Sequence, residues 1–237
     1  NVWCAAGKGT FGTAELVRRI ASSGLAQVVR HRRLLLPILG APGVAAHEVQ
    51  RRSGFTVSYA AIRAADLKTY LDNGMITTPA MRELTFTLRE RLVLLPVELI
   101  LALKPAAVIT LTLLVAGGVL GGVTTAMAAA AAYLGALLTG LVIGPLLLPW
   151  LPGRSFALKG AAAGFGWSLV FTLLAGIRHP AVTLAVFLAL PAVSAFYTLN
   201  FTGCSTYTSR TGVKKEMRLS LPVMAGAVAV SILLLVA

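Results

Sequence analysis

An α/β layer followed by an all-α membrane bundle is the fold class that the 237-residue sequence predicts, on three observations. Charge is segregated, since seven of the eight acidic residues and thirteen of the twenty-one basic ones precede residue 99. Short apolar runs alternate with helix-patterned stretches between Leu34 and Gly74. Beyond them come five long apolar stretches whose few bases lie at or near the ends. With 57% hydrophobic residues, 12% charged and a mean hydropathy of +0.83, the chain is not an ordinary soluble domain. The division places a water-compatible domain at 1–92 and a transmembrane domain at 93–237.

The opening stretch, Asn1-Val2-Trp3-Cys4-Ala5-Ala6-Gly7-Lys8-Gly9-Thr10-Phe11-Gly12-Thr13, reads as a short helix and a turn. Asn1 is a good N-cap, Ala5 and Ala6 are strong helix formers, and Gly7 and Gly9 end the helix within two turns. Cys4 then falls in the first turn, where the helix dipole and the unpaired N–H groups favour a thiolate. Lys8, four residues on, adds positive charge to the same face. Such a thiolate could be a nucleophile, a metal ligand or a redox thiol; a small buried hydrophobe is the plain alternative. A phosphate loop is excluded, because Val2 stands where its first glycine is required. Two cysteines, Cys4 and Cys204, make neither a disulfide framework nor an iron–sulfur cluster site, and they fit a reducing compartment. The chain begins at Asn1 without Met or signal peptide, so the first domain is read as the C-terminal portion of one whose upstream part is missing.

Thr13 is placed to cap a helix through Ile20, with Glu15 in its first turn and Gly24 just past its end. Leu34–Leu39 is a continuous apolar run, consistent with a buried strand. The loop Gly40-Ala41-Pro42-Gly43 feeds a helix near Val44–Val49, which Gly54 closes and whose His47 belongs to the helix rather than to a metal. Phe55–Tyr59 alternates as a strand, and Ala64–Leu71 reads as a helix ending at Gly74. Alternation of this kind implies a partial doubly wound, flavodoxin- or Rossmann-like layer. Ligands of such sheets sit outside the carboxyl ends of the strands, here the Gly40–Val44 and Tyr59–Arg63 loops.

Thr78-Pro79 signals the start of a linker helix from about residue 78. Apolar stretches of spanning length follow at about 105–121, 124–149, 156–177, 181–200 and 219–237, which predicts five transmembrane helices. Arg154, Lys159, Arg210, Lys214, Lys215 and Arg218 favour one side, which places the first domain in the cytoplasm beneath the inner membrane. The pairs Gly117/Gly121, Gly118/Gly122, Gly140/Gly144 and Gly160/Gly164 allow close helix approach. The middle of each span is free of ionisable residues, which favours an anchor over a pump. The hydroxyl-rich stretch from Asn200 to Arg218 reads as a solvated loop with a basic end facing lipid. The net charge of +13 has no aromatic interleaving, so a lipid bilayer, not nucleic acid, is the expected partner of these bases.

The stretch Asn-Val-Trp-Cys-Ala-Ala-Gly-Lys resembles the cap-helix signature of the membrane-bound corrinoid proteins of the microbial mercury-methylation pair, relatives of the corrinoid/iron–sulfur protein of the acetyl-CoA pathway. Leu36-Pro37-Ile38-Leu39-Gly40-Ala41-Pro42-Gly43-Val44 through His47 and Val57-Ser58-Tyr59 through Leu67 are similar to the segments that follow it, and the 202–213 stretch resembles a further signature of that family. Departures are Ile38, where the family usually has Gln, and Ala60-Ala61-Ile62, where it usually has Gly-Pro-Val. The resemblance implies a corrinoid-dependent methyltransferase that carries methyl on cobalt and passes it to Hg(II), giving methylmercury. Cys4 would be the lower axial ligand and catalytic residue. Asn1, Val2, Trp3, Ala5, Ala6, Gly7 and Lys8 would lie against the corrinoid, with Gly40, Ala41, Pro42, Gly43, Val44, Tyr59 and Arg63 completing its site. A soft thiolate donor suits delivery of methyl to an electrophilic metal ion. The implied partners are a ferredoxin with two four-iron clusters as reductant, and a methyl donor protein or methyl-folate. The alternatives are a membrane corrinoid carrier for another acceptor in one-carbon metabolism, and a cofactor-free membrane scaffold or transporter.

Overall fold

The computed structural model describes residues 5–6, 9–203, 205, 208 and 210–236, and it divides into two compact units, Asn1–Thr85 and Phe86–Ala237. The first is a small α/β region. Its order is α1 (Thr13–Ser22), α2 (Leu25–Val28), β1 (Arg33–Pro37), α3 (Ala46–Ser53), β2 (Thr56–Ala60) and α4 (Leu67–Asp72). The two strands pair in parallel, from Arg33 opposite Thr56 to Pro37 opposite Ala60, with α3 as the crossover.

Parallel strands need cover on both faces, and strand periodicity supplies it here. Leu34 and Leu36 of β1, with Val57 and Tyr59 of β2, join Ile20, Val44, Val49 and Phe55 in one cluster. Leu35 points the other way, into a second cluster of Ala60, Ala61, Tyr70 and Met81. Ala60 and Ala61 are therefore core residues. The β1 strand stops at Pro37, short of the expected Leu39, because proline has no N–H to continue the ladder; Ile38–Gly40 instead form a 3-10 turn. Gly54 ends α3 in the left-handed conformation (φ 76°).

Two expected helix starts are corrected. Thr13 is the first residue of α1 rather than its cap, and its hydroxyl accepts a hydrogen bond from the Ala45 N–H at 2.9 Å. The helix expected from about residue 78 is only a 3-10 turn at Ala80–Arg82. The long helix starts instead after Thr87, whose hydroxyl accepts from the Glu90 N–H while the Glu90 carboxylate accepts from the Thr87 N–H. This reciprocal capping box satisfies two orphan donors at once and outweighs the Thr-Pro signal upstream.

Among the described residues the second unit holds four helices long and apolar enough to cross a membrane: Leu88–Leu146, Phe156–Leu174, Pro180–Gly203 and Thr211–Val236. Within them α5 (Leu88–Leu138) runs through a π-turn, Thr139–Ile143, into α6 (Gly144–Leu146); α7 is Phe156–Leu174, α8 Pro180–Asn200 and α9 Arg210–Val236. A straight α5 to α6 would be roughly 90 Å long, about three times a hydrocarbon core. It is not straight. Gly122 (φ 79°, ψ −176°) breaks it, and the second arm folds back so that Ala126 Cα would lie 2.7 Å from a Cβ on Gly117. Pairing of the arms continues through Ala102 with Tyr133 and Leu137.

Helix α8 is the centre of this unit. Gly140 and Gly144 of one partner and Gly160 and Gly164 of another press on its Pro191–Thr198 stretch; a Cβ on Gly164 would lie 2.6 Å from Pro191 Cα. These two small-xxx-small pairs do what their spacing predicts. Gly118 and Gly122 face open space. The Ser194 hydroxyl donates to Ala136 O and that of Thr198 to Gly140 O, both at 2.8 Å, while Trp167 Nε1 donates to Ala132 O at 3.0 Å. The Gly140 carbonyl needs that donor. The π-turn hands the Gly144 N–H to Thr139 O, and the next residue, Pro145, has no N–H to give.

Charged residues work at helix ends. The buried Arg91 guanidinium donates to the final carbonyls of α6, Pro145 O at 3.2 Å and Leu146 O. Glu216 takes the opposite role. Its carboxylate accepts from the Ser155 hydroxyl at 2.7 Å and from the Ala157 N–H at 2.8 Å, at the positive start of α7. The stretch expected as a solvated loop to Arg218 is shorter than that, since α9 already begins at Arg210. Thr202 and Ser205 are buried, and Thr208 Oγ1 donates to Thr202 O at 2.9 Å.

Candidate functional site

Ala5 and Ala6, the described residues of the Asn1–Lys8 stretch, lie at the carboxyl end of β1. Ala5 and Ala6 are helical, and Ala6 is buried. Ala5 O accepts from the Phe11 N–H at 3.0 Å and from the Thr10 hydroxyl at 3.2 Å, and Ala6 O accepts from the Gly9 N–H at 3.2 Å. This turn reaches the sheet through the Gly40–Val44 loop. Thr13 N–H donates to Gly43 O at 3.1 Å, and Ala45 N–H donates back to the Thr13 hydroxyl.

Glycine is required at this contact for space. A Cβ on Gly43 would lie 2.9 Å from Ala6 Cα and closer to Phe11 O; one on Gly40 would lie 2.7 Å from Phe11 Cε1. Gly40 and Gly43 therefore spend their small size on the chain's own Ala6 and Phe11. Ala41 and Pro42, between them, are exposed, as are Gly9 and Thr10 across the contact.

Tyr59 locks the loop from the neighbouring strand: its hydroxyl donates to Val44 O in a short hydrogen bond, and Val44 is buried. Burial pushes the Tyr59 phenol above its ordinary pKa of 10, so it stays a neutral donor. Arg63, exposed after β2, donates to the Thr85 hydroxyl. His47 is exposed on α3, away from any donor cluster; no group of three or more His, Cys, Asp or Glu among the described residues could hold a metal ion.

The structure thus brings Ala5, Ala6, Gly40, Gly43, Val44 and Tyr59 together at one sheet end. Asn1, Val2, Trp3, Cys4, Gly7 and Lys8 lie outside the described residues, as does Cys204. Sequence reasoning missed Thr13 as the link between signature and loop, and Phe11 as the side chain that fills the space beside Gly40. The Gly12-Thr13 pair and an aromatic in a glycine-rich run were the available signals. Gly9, Thr10, Ala41 and Pro42 form an exposed rim beside the Ala5–Ala6 turn, and a Cys4 thiolate, outside the described residues, would be the one soft metal donor of the opening stretch. Compared with family models, with curated proteins and with solved structures, the chain finds no match in any of the three.

Proposed function

We propose that this chain is a membrane-anchored corrinoid methyltransferase that passes methyl groups to Hg(II), with the Cys4 thiolate as lower axial ligand of cobalt. The observation that carries the reading is the packing of Ala6 and Phe11, which follow Cys4 in the sequence, against Gly43 and Gly40 of the loop at the carboxyl end of β1. That end is where doubly wound sheets hold ligands. A bound corrinoid supplies a cobalt centre able to accept and release methyl. Ala6 packs on Gly43 and the Ala45 N–H donates to the Thr13 hydroxyl, which ties the residues after Cys4 to the sheet end, while Gly9, Thr10, Ala41 and Pro42 beside them are exposed.

On this reading α5 contributes two spanning arms, so that the second unit crosses the inner membrane five times with its bases toward the cytoplasm. A ferredoxin with two four-iron clusters supplies electrons, and a methyl donor protein or methyl-folate supplies the methyl group. Cys4→Ala removes the donor without touching any span. Methylmercury formation by intact protein with ferredoxin and reductant is expected to vanish, while membrane insertion persists. Retained activity in the inserted variant defeats the proposal. Corrinoid binding with no methylation of Hg(II) would point to a carrier for another acceptor.

A further inference from the structure

A cavity of about 1040 Å³ opens between the two arms of α5, α8 and α9, within the second unit alone. Its walls are mainly apolar, running out to Ile109 and Ile232, with polar groups from Glu98, Tyr133, Tyr197 and Asn200. The two tyrosines are each only 5% exposed, and their hydroxyls meet at 2.8 Å. Two phenols carry two protons, and their mutual bond uses one. The second O–H therefore remains available to donate, inside a space where water is scarce and an unmade hydrogen bond is costly.

We infer that this cavity binds an uncharged lipophile whose head offers a carbonyl oxygen, of the isoprenoid-quinone class. The remaining phenol proton selects an acceptor oxygen, the apolar walls take the ring and tail, and the volume suits a ligand at the large end of ordinary pockets. Glu98 lies in the same wall. Asn200, in the last turn of α8, adds an amide at the polar end. The assignment is independent of Cys4 and of corrinoid.

The test is equilibrium binding of decyl-ubiquinone to the intact protein in dodecyl maltoside. Saturable binding is expected, with decylbenzene, which lacks the carbonyls, binding about tenfold more weakly. Tyr133→Phe and Tyr197→Phe singly should bind nearly as wild type, because the surviving hydroxyl is freed to donate to the ligand. The double phenylalanine variant should lose about tenfold. Absence of saturable binding, equal affinity for decylbenzene, an unaffected double variant that keeps its helix content, or displacement by added phosphatidylcholine would each overturn the assignment. Should the double variant not fold, the decylbenzene comparison on wild-type protein still decides.

Discussion

Replacing Gly43 with alanine should loosen the Ala5–Ala6 turn and Phe11 while leaving the sheet intact. Gly43 is not in a left-handed conformation, so alanine brings no backbone strain; its whole effect is steric. The new Cβ would stand 2.9 Å from Ala6 Cα and 3.0 Å from Ala6 Cβ, with Phe11 O closer still. Those atoms belong to backbone or lie next to it, and cannot rotate away. Overpacking of this kind costs about 1–3 kcal/mol. Because the clash lies between the loop and the segment, local opening absorbs it in preference to global unfolding. At about 1.4 kcal/mol per tenfold, amide exchange should quicken roughly 5- to 150-fold. The amides to follow are Gly9, Phe11 and Thr13, bonded to Ala6 O, Ala5 O and Gly43 O. Phe55, in the sheet core, should exchange at its wild-type rate. Gly40→Ala should have a smaller effect, since its Cβ meets only the Phe11 ring, which can swing aside. Wild-type exchange in Gly43→Ala, or a larger effect from Gly40→Ala, would refute the seating.

Thr87→Ala removes one half of the capping box at the start of α5 and should cost about 0.5–2 kcal/mol, read as faster amide exchange over residues 88–91 with none beyond Gly122. Gly140→Ala places a Cβ 2.9 Å from Ser194 Cα and should weaken packing on α8 by about 1–3 kcal/mol, measured by steric trapping in bicelles; an unchanged variant would mean that α8 is not held there. Glu15 is half-buried, and hydrogen bonds first from Arg19 and then from Arg18 hold its carboxyl below the ordinary 4.5. A depressed folded value means that the contribution to α1 is present above about pH 4.5 and is lost as pH falls through the folded value. Carboxyl NMR should show that lowered midpoint, and Arg19→Gln should return it toward normal.

Much of the fold could be read in the residues, for identifiable reasons. The Phe55–Tyr59 run alternates and the Leu34–Leu36 run is apolar throughout, as a strand covered on both faces must be, with Leu34 and Leu36 on one face and Leu35 on the other. Gly140, Gly144, Gly160 and Gly164 announce helix contact because only absence of a side chain allows it. Helix starts were less legible where two local signals competed: Thr78-Pro79 and the Thr87/Glu90 box both qualify, and only reciprocal capping, with apolar turns to follow, sustains a helix. Long-range pairs left no local trace. Nothing near Thr13 names Ala45, nothing near Arg91 names Pro145, and Tyr133 and Tyr197 are 64 residues apart. For the site, spacing indicated the carboxyl ends of the strands. It did not reveal that Gly40 and Gly43 face Phe11 and Ala6, because that contact depends on how the segment folds back.

The most direct test of the central claim is the optical and electron paramagnetic resonance spectrum of the intact protein loaded anaerobically with corrinoid, wild type beside Cys4→Ala. Sulfur ligation should give the wild type a thiolate-to-cobalt signature that disappears in the alanine variant, with corrinoid still bound. Identical spectra from the two proteins, or a wild type that takes up no corrinoid, would contradict the claim that Cys4 holds cobalt.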